Sequence, residues 1–237
     1  MAMRKNVVER YAKEQMAKLG LHGWPHVKRV QRLCVQLAKN MKEVDSEVLG
    51  VAALLHDVGK HMEKENSVLD HGVVSADMAE ELLRSIKFDD EKLKAVCHAI
   101  RVHTHGEQPH SVEAKILHDA DFLDKMGAVG VATVFIKACL TNTTIEETVD
   151  FWSHPFRGSY VGLHALWLQK PHFYTRTARS LARRRNKIVY LFFKQLESEI
   201  LLADARAVAN AKSLLLTRPL LGSSSGTGVK PRKSSDI

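Results

Sequence analysis

Four side chains in the first half of the chain are of types that could share one divalent cation: His26, the adjacent pair His56 and Asp57, and Asp121. His56 and Asp57 end an apolar run, Val51 to Leu55, within Leu54-Leu55-His56-Asp57-Val58-Gly59-Lys60. Burying two ionisable groups beside such a run costs several kcal/mol unless an opposite charge meets them, and a divalent cation would do so. Asp121 lies in the carboxylate-dense Asp119-Ala120-Asp121-Phe122-Leu123-Asp124, where crowded like charges again call for a cation. Each signal alone is weak, since a lone helical histidine is more often a surface or satisfied residue. Together with Lys60, the set is specific.

These residues need rigid supports from separate parts of the chain. Between Pro25 and Pro109 there is no other proline, so long helices are permitted. Val27, Val30, Cys34 and Leu37 share one helical face. So do Val48, Val51, Ala52 and Leu55, then Ala76, Ala79, Leu83 and Ile86, then Leu93, Val96, Cys97 and Ile100. No run alternates at period two, and the fold expected is all-α. Pro25 fits the first helical position, which puts His26 in the first turn of its helix. A loop over His103 to Ser111 precedes helices expected over Val112 to about Leu123 and Gly127 to Leu140.

Short helices and turns are expected over Phe151 to Pro171. A long helix follows from about Thr175 to Leu202, with Leu181, Ile188, Phe192, Leu196 and Ile200 as its apolar stripe, then a shorter one over Ala203 to Leu216. Residues Gly222 to Ile237 read as a disordered tail.

Composition narrows the setting. The chain has 237 residues, 13 histidines and a net charge of +8, with 45% hydrophobic and 26% charged residues. That is ordinary for a globular protein with a real core. Cys34, Cys97 and Cys139 form no CxxC pair, so neither a disulfide framework nor a thiolate zinc site is indicated. No stretch approaches the roughly 18 apolar residues of a membrane span, and no apolar signal segment opens the chain. The expectation is a cytoplasmic protein with no membrane partner.

The order His26, His56-Asp57, Asp121, with Lys60 completing His-Asp-x-x-Lys, resembles the HD-domain superfamily of metal-dependent phosphohydrolases. The likeness is nearer to the small stand-alone HD hydrolases of bacteria and archaea. That branch carries segments like Glu113-Ala114-Lys115-Ile116, Asp119-Ala120-Asp121-x-Leu123-Asp124-x-x-Gly127-Ala128-x-Gly130 and Thr177-Ala178-Arg179-x-x-Ala182. The resemblance covers about residues 20–130 and implies an HD helical bundle with additional C-terminal helices, a single domain over residues 1–221.

The resemblance further implies that His26, His56, Asp57 and Asp121 ligate the metal. Their mixed donors suit octahedral Mn²⁺ first, with Mg²⁺, Fe²⁺, Ni²⁺ or Co²⁺ open, better than tetrahedral zinc. Lys60 would reach a phosphoryl group, Asp57 would also orient the attacking water, and Arg29 is a weaker candidate for a substrate phosphate. His71 and His103, with His98 as an alternative, stand where some relatives bind a second metal or line the pocket. His105, His110 and His118 are expected to be solvated.

The activity implied is hydrolysis of a phosphoester or pyrophosphate bond, of a nucleotide or deoxynucleotide foremost. Val58-Gly59-Lys60-His61 lacks the Glu-Asp of guanosine-tetraphosphate hydrolases, and no Gly-Tyr-Pro segment like that of cyclic-di-GMP phosphodiesterases is present. A nucleotide-binding regulatory module without turnover and a di-iron HD oxygenase remain as alternatives. Arg176, Arg179, Arg183, Arg184, Arg185 and Lys187 could attract nucleic acid, a less favoured partner, and a homodimer is left open. The tail adds +2 through Lys230, Arg232 and Lys233 against Asp236, so net charge is a poor guide to the site.

Overall fold

A computed structural model describes residues 2–17, 19–65, 70–104, 108–154 and 172–206. Residues 1–195 form one compact unit and residues 196–237 a second. The expected boundary at residue 221, the tail and most of the helix expected over Ala203 to Leu216 lie outside the described residues.

The elements are α1 (Ala2–Met16), a 3₁₀ turn (Gly20–His22), α2 (Trp24–Ala38), α3 (Ser46–Leu55), α4 (Lys60–Glu65), α5 (His71–Ser85) and α6 (Asp90–Arg101). They continue with α7 (Val112–Asp124), α8 (Gly127–Leu140), α9 (Ile145–Ser153) and α10 (Arg176–Ile200). Among the described residues there is no strand, as expected of an all-α chain. Helix α1, which carries little amphipathic pattern, had not been anticipated.

Helix starts are fixed by side chains that accept from otherwise unmet backbone N–H groups, each worth about 1 kcal/mol. Asp45 caps α3, Asp70 caps α5, Asp89 caps α6 and Ser111 caps α7. Pro25 stands within the first two positions of α2, where a missing N–H costs nothing.

The supports of the site pack directly on one another: α2 against α7 and α3, α3 against α6, and α6 against α5 and α7. Between them Val27, Val30, Leu55, Val96, Ile100, Ile116, Leu117 and Leu123 are almost fully buried. Each large apolar side chain so buried contributes roughly 1.5–3 kcal/mol. The helices that support the site therefore share one core, and their facing ends cannot drift independently.

One expectation about these helices needs correction. The buried stripe of α10 is Ala178, Ala182, Val189 and Phe193, whereas Ile188 and Phe192 are exposed. The true stripe runs through two alanines, which allow close helix approach but carry little hydrophobic signal. In addition, α9 ends at Ser153, and the turns expected after it fall on residues 155–171, outside the described residues.

Candidate metal centre

His26 stands in the first turn of α2. His56 follows the last residue of α3 as its C-cap, and Asp57 occupies the turn before α4. That turn is pinned by Gly59, whose N–H donates to Ser75 Oγ at 2.9 Å. A Cβ on Gly59 would meet Val74 Cγ1 at 2.7 Å and Ser75 N at 2.8 Å, so only glycine permits this approach to α5. Asp121 and Asp124 face inward from the last turns of α7.

Hydrogen bonds fix the histidine tautomers, because carboxylates and carbonyls only accept. His26 Nδ1 donates to Asp124 Oδ2 at 2.8 Å, and His56 Nδ1 donates to the carbonyl of Ala53 at 2.8 Å. Both Nε2 atoms are thereby aimed at each other, 3.3 Å apart. His26 Nε2 lies 3.6 Å from Asp57 Oδ2 and 3.3 Å from Asp121 Oδ1; His56 Nε2 lies 3.7 and 4.0 Å from the same two oxygens.

Two imidazole nitrogens and two carboxylate oxygens thus converge from three helical segments, and all four residues are buried. Asp57 Oδ2 and Asp121 Oδ1 make no well-formed hydrogen bond, and the groups that approach them are the ring nitrogens of His26 and His56. Buried carboxylate oxygens left in that state are costly, and a cation relieves both at once. The residues fit a divalent ion with mixed nitrogen and oxygen donors. Asp124 supplies the carboxylate that orients His26, and is itself gripped by Arg29 through Nε at 2.7 Å and Nη2 at 2.9 Å.

The other oxygen of Asp57 faces a different set. Oδ1 lies 3.4 Å from Lys60 Nζ, 3.4 Å from His71 Nε2 and 3.6 Å from His103 Nε2. Lys60 Nζ is also 3.1 Å from His71 Nε2. His103 Nδ1 donates to the carbonyl of Ile100 at 2.6 Å, which directs its unpartnered Nε2 toward this oxygen.

The electrostatics follow from this crowding. Burial works against a charge on His26, yet its contacts with Asp121, Asp124 and Asp57 outweigh it and hold the pKa up to about 10. A proton on His26 therefore takes the cation's place when no metal is bound. Burial presses His56 down to about 4, keeping it neutral. Asp57 and Asp121 are held well below the usual carboxylate range despite burial, by Lys60 in the first case and by Lys125 and His26 in the second.

Every motif residue expected at the site is brought to it: His26, His56, Asp57, Lys60, His71, His103 and Asp121. Arg29 is present but commits its guanidinium to Asp124. His98 stacks on His110 instead of approaching Asp57. His118, expected to be solvated, is buried on α7 and stacks on Phe122 with ring centroids 4.4 Å apart. Neighbouring Asp119 accepts from the backbone N–H groups of Tyr174 and Thr175 at 2.8 and 2.7 Å, tying the start of α10 to α7.

Three further site residues had not been singled out. Asp124 and Lys125 are two of them, and Lys125 Nζ contacts Asp121 Oδ2 at 2.6 Å, an i,i+4 pairing that spacing could have revealed. His22 is the other: buried, with a ring nitrogen within 4.8 Å of donor atoms on His26 and Asp57. The Gly23-Trp24-Pro25 break between His22 and His26 hides that relation from any helical pattern.

Neighbouring helix ends of this bundle thus close on a buried His/Asp cluster able to hold a metal ion. A profile of the HD domain matches residues 23–126. YpgQ of Bacillus subtilis strain 168 is 29% identical over 197 residues, spanning 78% of this chain and 87% of that one. A predicted HD-superfamily hydrolase from an uncultured Thermotogales bacterium superposes with a TM-score of 0.57 at 29% identity, covering 84% of this chain and 92% of that one. The structure of B. subtilis YpgQ in complex with ADP gives a TM-score of 0.63 at 24% identity, covering 84% and 95%. Residues 23–126 thus match the HD domain, and the fold is similar to that of HD-superfamily hydrolases. Among the described residues no helix is long and apolar enough to cross a membrane.

Proposed function

We propose that this protein is a divalent-metal-dependent phosphohydrolase that cleaves a phosphoester or pyrophosphate bond of a nucleotide or deoxynucleotide. The observation that carries the reading is the convergence of His26 Nε2, His56 Nε2, Asp57 Oδ2 and Asp121 Oδ1, with neither oxygen in a well-formed hydrogen bond. His26, His56, Asp57 and Asp121 would hold the ion, Mn²⁺ foremost. When bound, it supplies a water of lowered pKa and a Lewis acid for a phosphoryl oxygen.

This chain's own residues do the rest. With Oδ2 turned to the metal seat, Asp57 presents Oδ1 beside Lys60, where it would also orient the attacking water. Lys60, 13% exposed at its side chain, can follow a phosphoryl oxygen as a point charge without leaving Asp57. In the reaction, water oxygen bonds to phosphorus as the bond to the leaving oxygen breaks; one proton of the water goes to that oxygen. Arg29 acts through Asp124 on the orientation of His26, not on substrate.

A nucleotide is favoured because the relative YpgQ has been crystallised with ADP. One ion is favoured over two because Lys60 already supplies the positive charge on the Oδ1 side of Asp57, close to His71. His71 and His103 then line the pocket as polar contacts. The same observation weighs against a di-iron oxygenase, which needs a second ion there.

The test is release of phosphate or pyrophosphate from a panel of nucleotides by the purified chain with Mn²⁺. Activity that disappears in Asp57→Ala supports the reading. Equal activity in that variant, or tight nucleotide binding with no turnover anywhere in the panel, overturns it; the second result favours the regulatory module.

A further inference from the structure

His22 is an imidazole that the metal seat leaves unused. It closes the 3₁₀ turn Gly20–His22, is 9% exposed, and neither ring nitrogen has a hydrogen-bond partner. Its ring meets that of His26 edge-on, with centroids 5.6 Å apart. One of its nitrogens lies within 4.8 Å of donor atoms on both His26 and Asp57.

The turn is built to put it there. Gly20 has φ of +53°, a conformation that favours glycine. A Cβ on Gly23 would approach Gly20 O to 3.0 Å and Met16 O to 3.2 Å.

Histidines that bind metal are almost always held at their second nitrogen by a carboxylate or carbonyl. His26 has Asp124 in that position and His56 has the carbonyl of Ala53. His22 has nothing of the kind, so it is not made as a ligand. An imidazole so placed can donate a ring N–H into the seat, where Lys60 contacts Asp57 at 3.4 Å and Lys125 contacts Asp121 at 2.6 Å.

We propose that His22 is a substrate-binding residue that donates its ring N–H to a phosphate oxygen of the bound substrate, beside Lys60 and Lys125. This rests on the metal-dependent reading above and extends it to the phosphate subsite.

The experiment is calorimetric titration of Mn²⁺ into the metal-free full chain, then of inorganic phosphate into the Mn²⁺-loaded chain, for wild type, His22→Ala and His22→Asn. Losing one charge-assisted hydrogen bond should weaken phosphate binding about tenfold in His22→Ala, with Mn²⁺ affinity within about twofold of wild type. His22→Asn, which keeps an N–H donor, should recover part of the phosphate affinity. Phosphate affinity unchanged in both variants overturns the proposal. So does a tenfold loss of Mn²⁺ affinity in both, which would make His22 a ligand. If the wild-type chain takes up no Mn²⁺, the metal-dependent reading itself falls and this one with it.

Discussion

The two oxygens of Asp57 face opposite kinds of surroundings. Oδ2 meets His26 Nε2 at 3.6 Å and His56 Nε2 at 3.7 Å and makes no well-formed hydrogen bond. Oδ1 also faces two imidazoles, His71 and His103, yet it has the Lys60 ammonium at 3.4 Å. The donor sets are alike, and the difference is one resident cation. A lysine charge is permanent and cannot exchange, whereas the seat on the Oδ2 side takes its charge from a proton or from a metal. One carboxylate can thus serve as ligand on one face and as partner to a substrate-reaching lysine on the other.

Removing the shared residue should have the largest effect. Asp57→Asn takes a charge from both sides, and phosphate release is expected to fall about a thousandfold or more, since metal assistance is worth several kcal/mol. Retention of activity within tenfold of wild type would contradict its place in both sets.

Exchanging the resident cation should make the two sides more alike. With Lys60→Met, the Oδ1 side loses its ammonium but keeps His71, His103 and Asp57. Bound manganese measured by elemental analysis should rise from one ion per chain toward two, while hydrolysis falls about a hundredfold for want of a phosphoryl contact. A chain that still holds one ion shows that Lys60 does not set the difference.

Loosening the outer support should matter less. Asp124→Asn weakens the hold on His26 Nδ1, and Mn²⁺ affinity is expected to drop roughly 10–100-fold, as for other outer-shell changes. Calorimetry on the refolded apoprotein would show it directly.

The proton on His26 gives the Oδ2 side a pH dependence. Its pKa is raised from 6.5 to about 10, so between these values the metal-free protein keeps a proton that the ion must displace. Mn²⁺ affinity should therefore increase with pH, by at most about tenfold per unit, and level off near the raised pKa. A flat profile from pH 6 to 9 would show that His26 gives up no proton on binding.

The smallest effect is expected far from Asp57. Arg183 and Arg184 are exposed on α10. Replacing both by glutamate should change turnover of a small nucleotide by less than about twofold, because exposed charges are screened by solvent.

How far sequence anticipates this centre differs by residue for physical reasons. His26, His56-Asp57, Lys60 and Asp121 are legible because a buried charge beside apolar helix ends demands a partner whatever the tertiary detail. Helices α2, α3, α5, α6, α7 and α8 are legible from apolar periodicity, with α8 found at its expected bounds, Gly127–Leu140. Asp124 looks like one more acid in a crowded segment, and only the packing of α7 on α2 reveals that it holds His26 and Arg29. His118 and Asp119 carry polar labels, but their burial depends on the start of α10 folding back onto α7 across more than 50 residues. The α10 stripe is misjudged for the opposite reason, since Ala178 and Ala182 signal little and pack closely.

The account is tested most directly by anomalous diffraction from crystals of the full chain soaked in Mn²⁺. It predicts one strong manganese peak per chain, bounded by His26 Nε2, His56 Nε2, Asp57 Oδ2 and Asp121 Oδ1, with none beside Lys60. No peak among those four atoms, or a second of equal height between His71, His103 and Asp57 Oδ1, would contradict it.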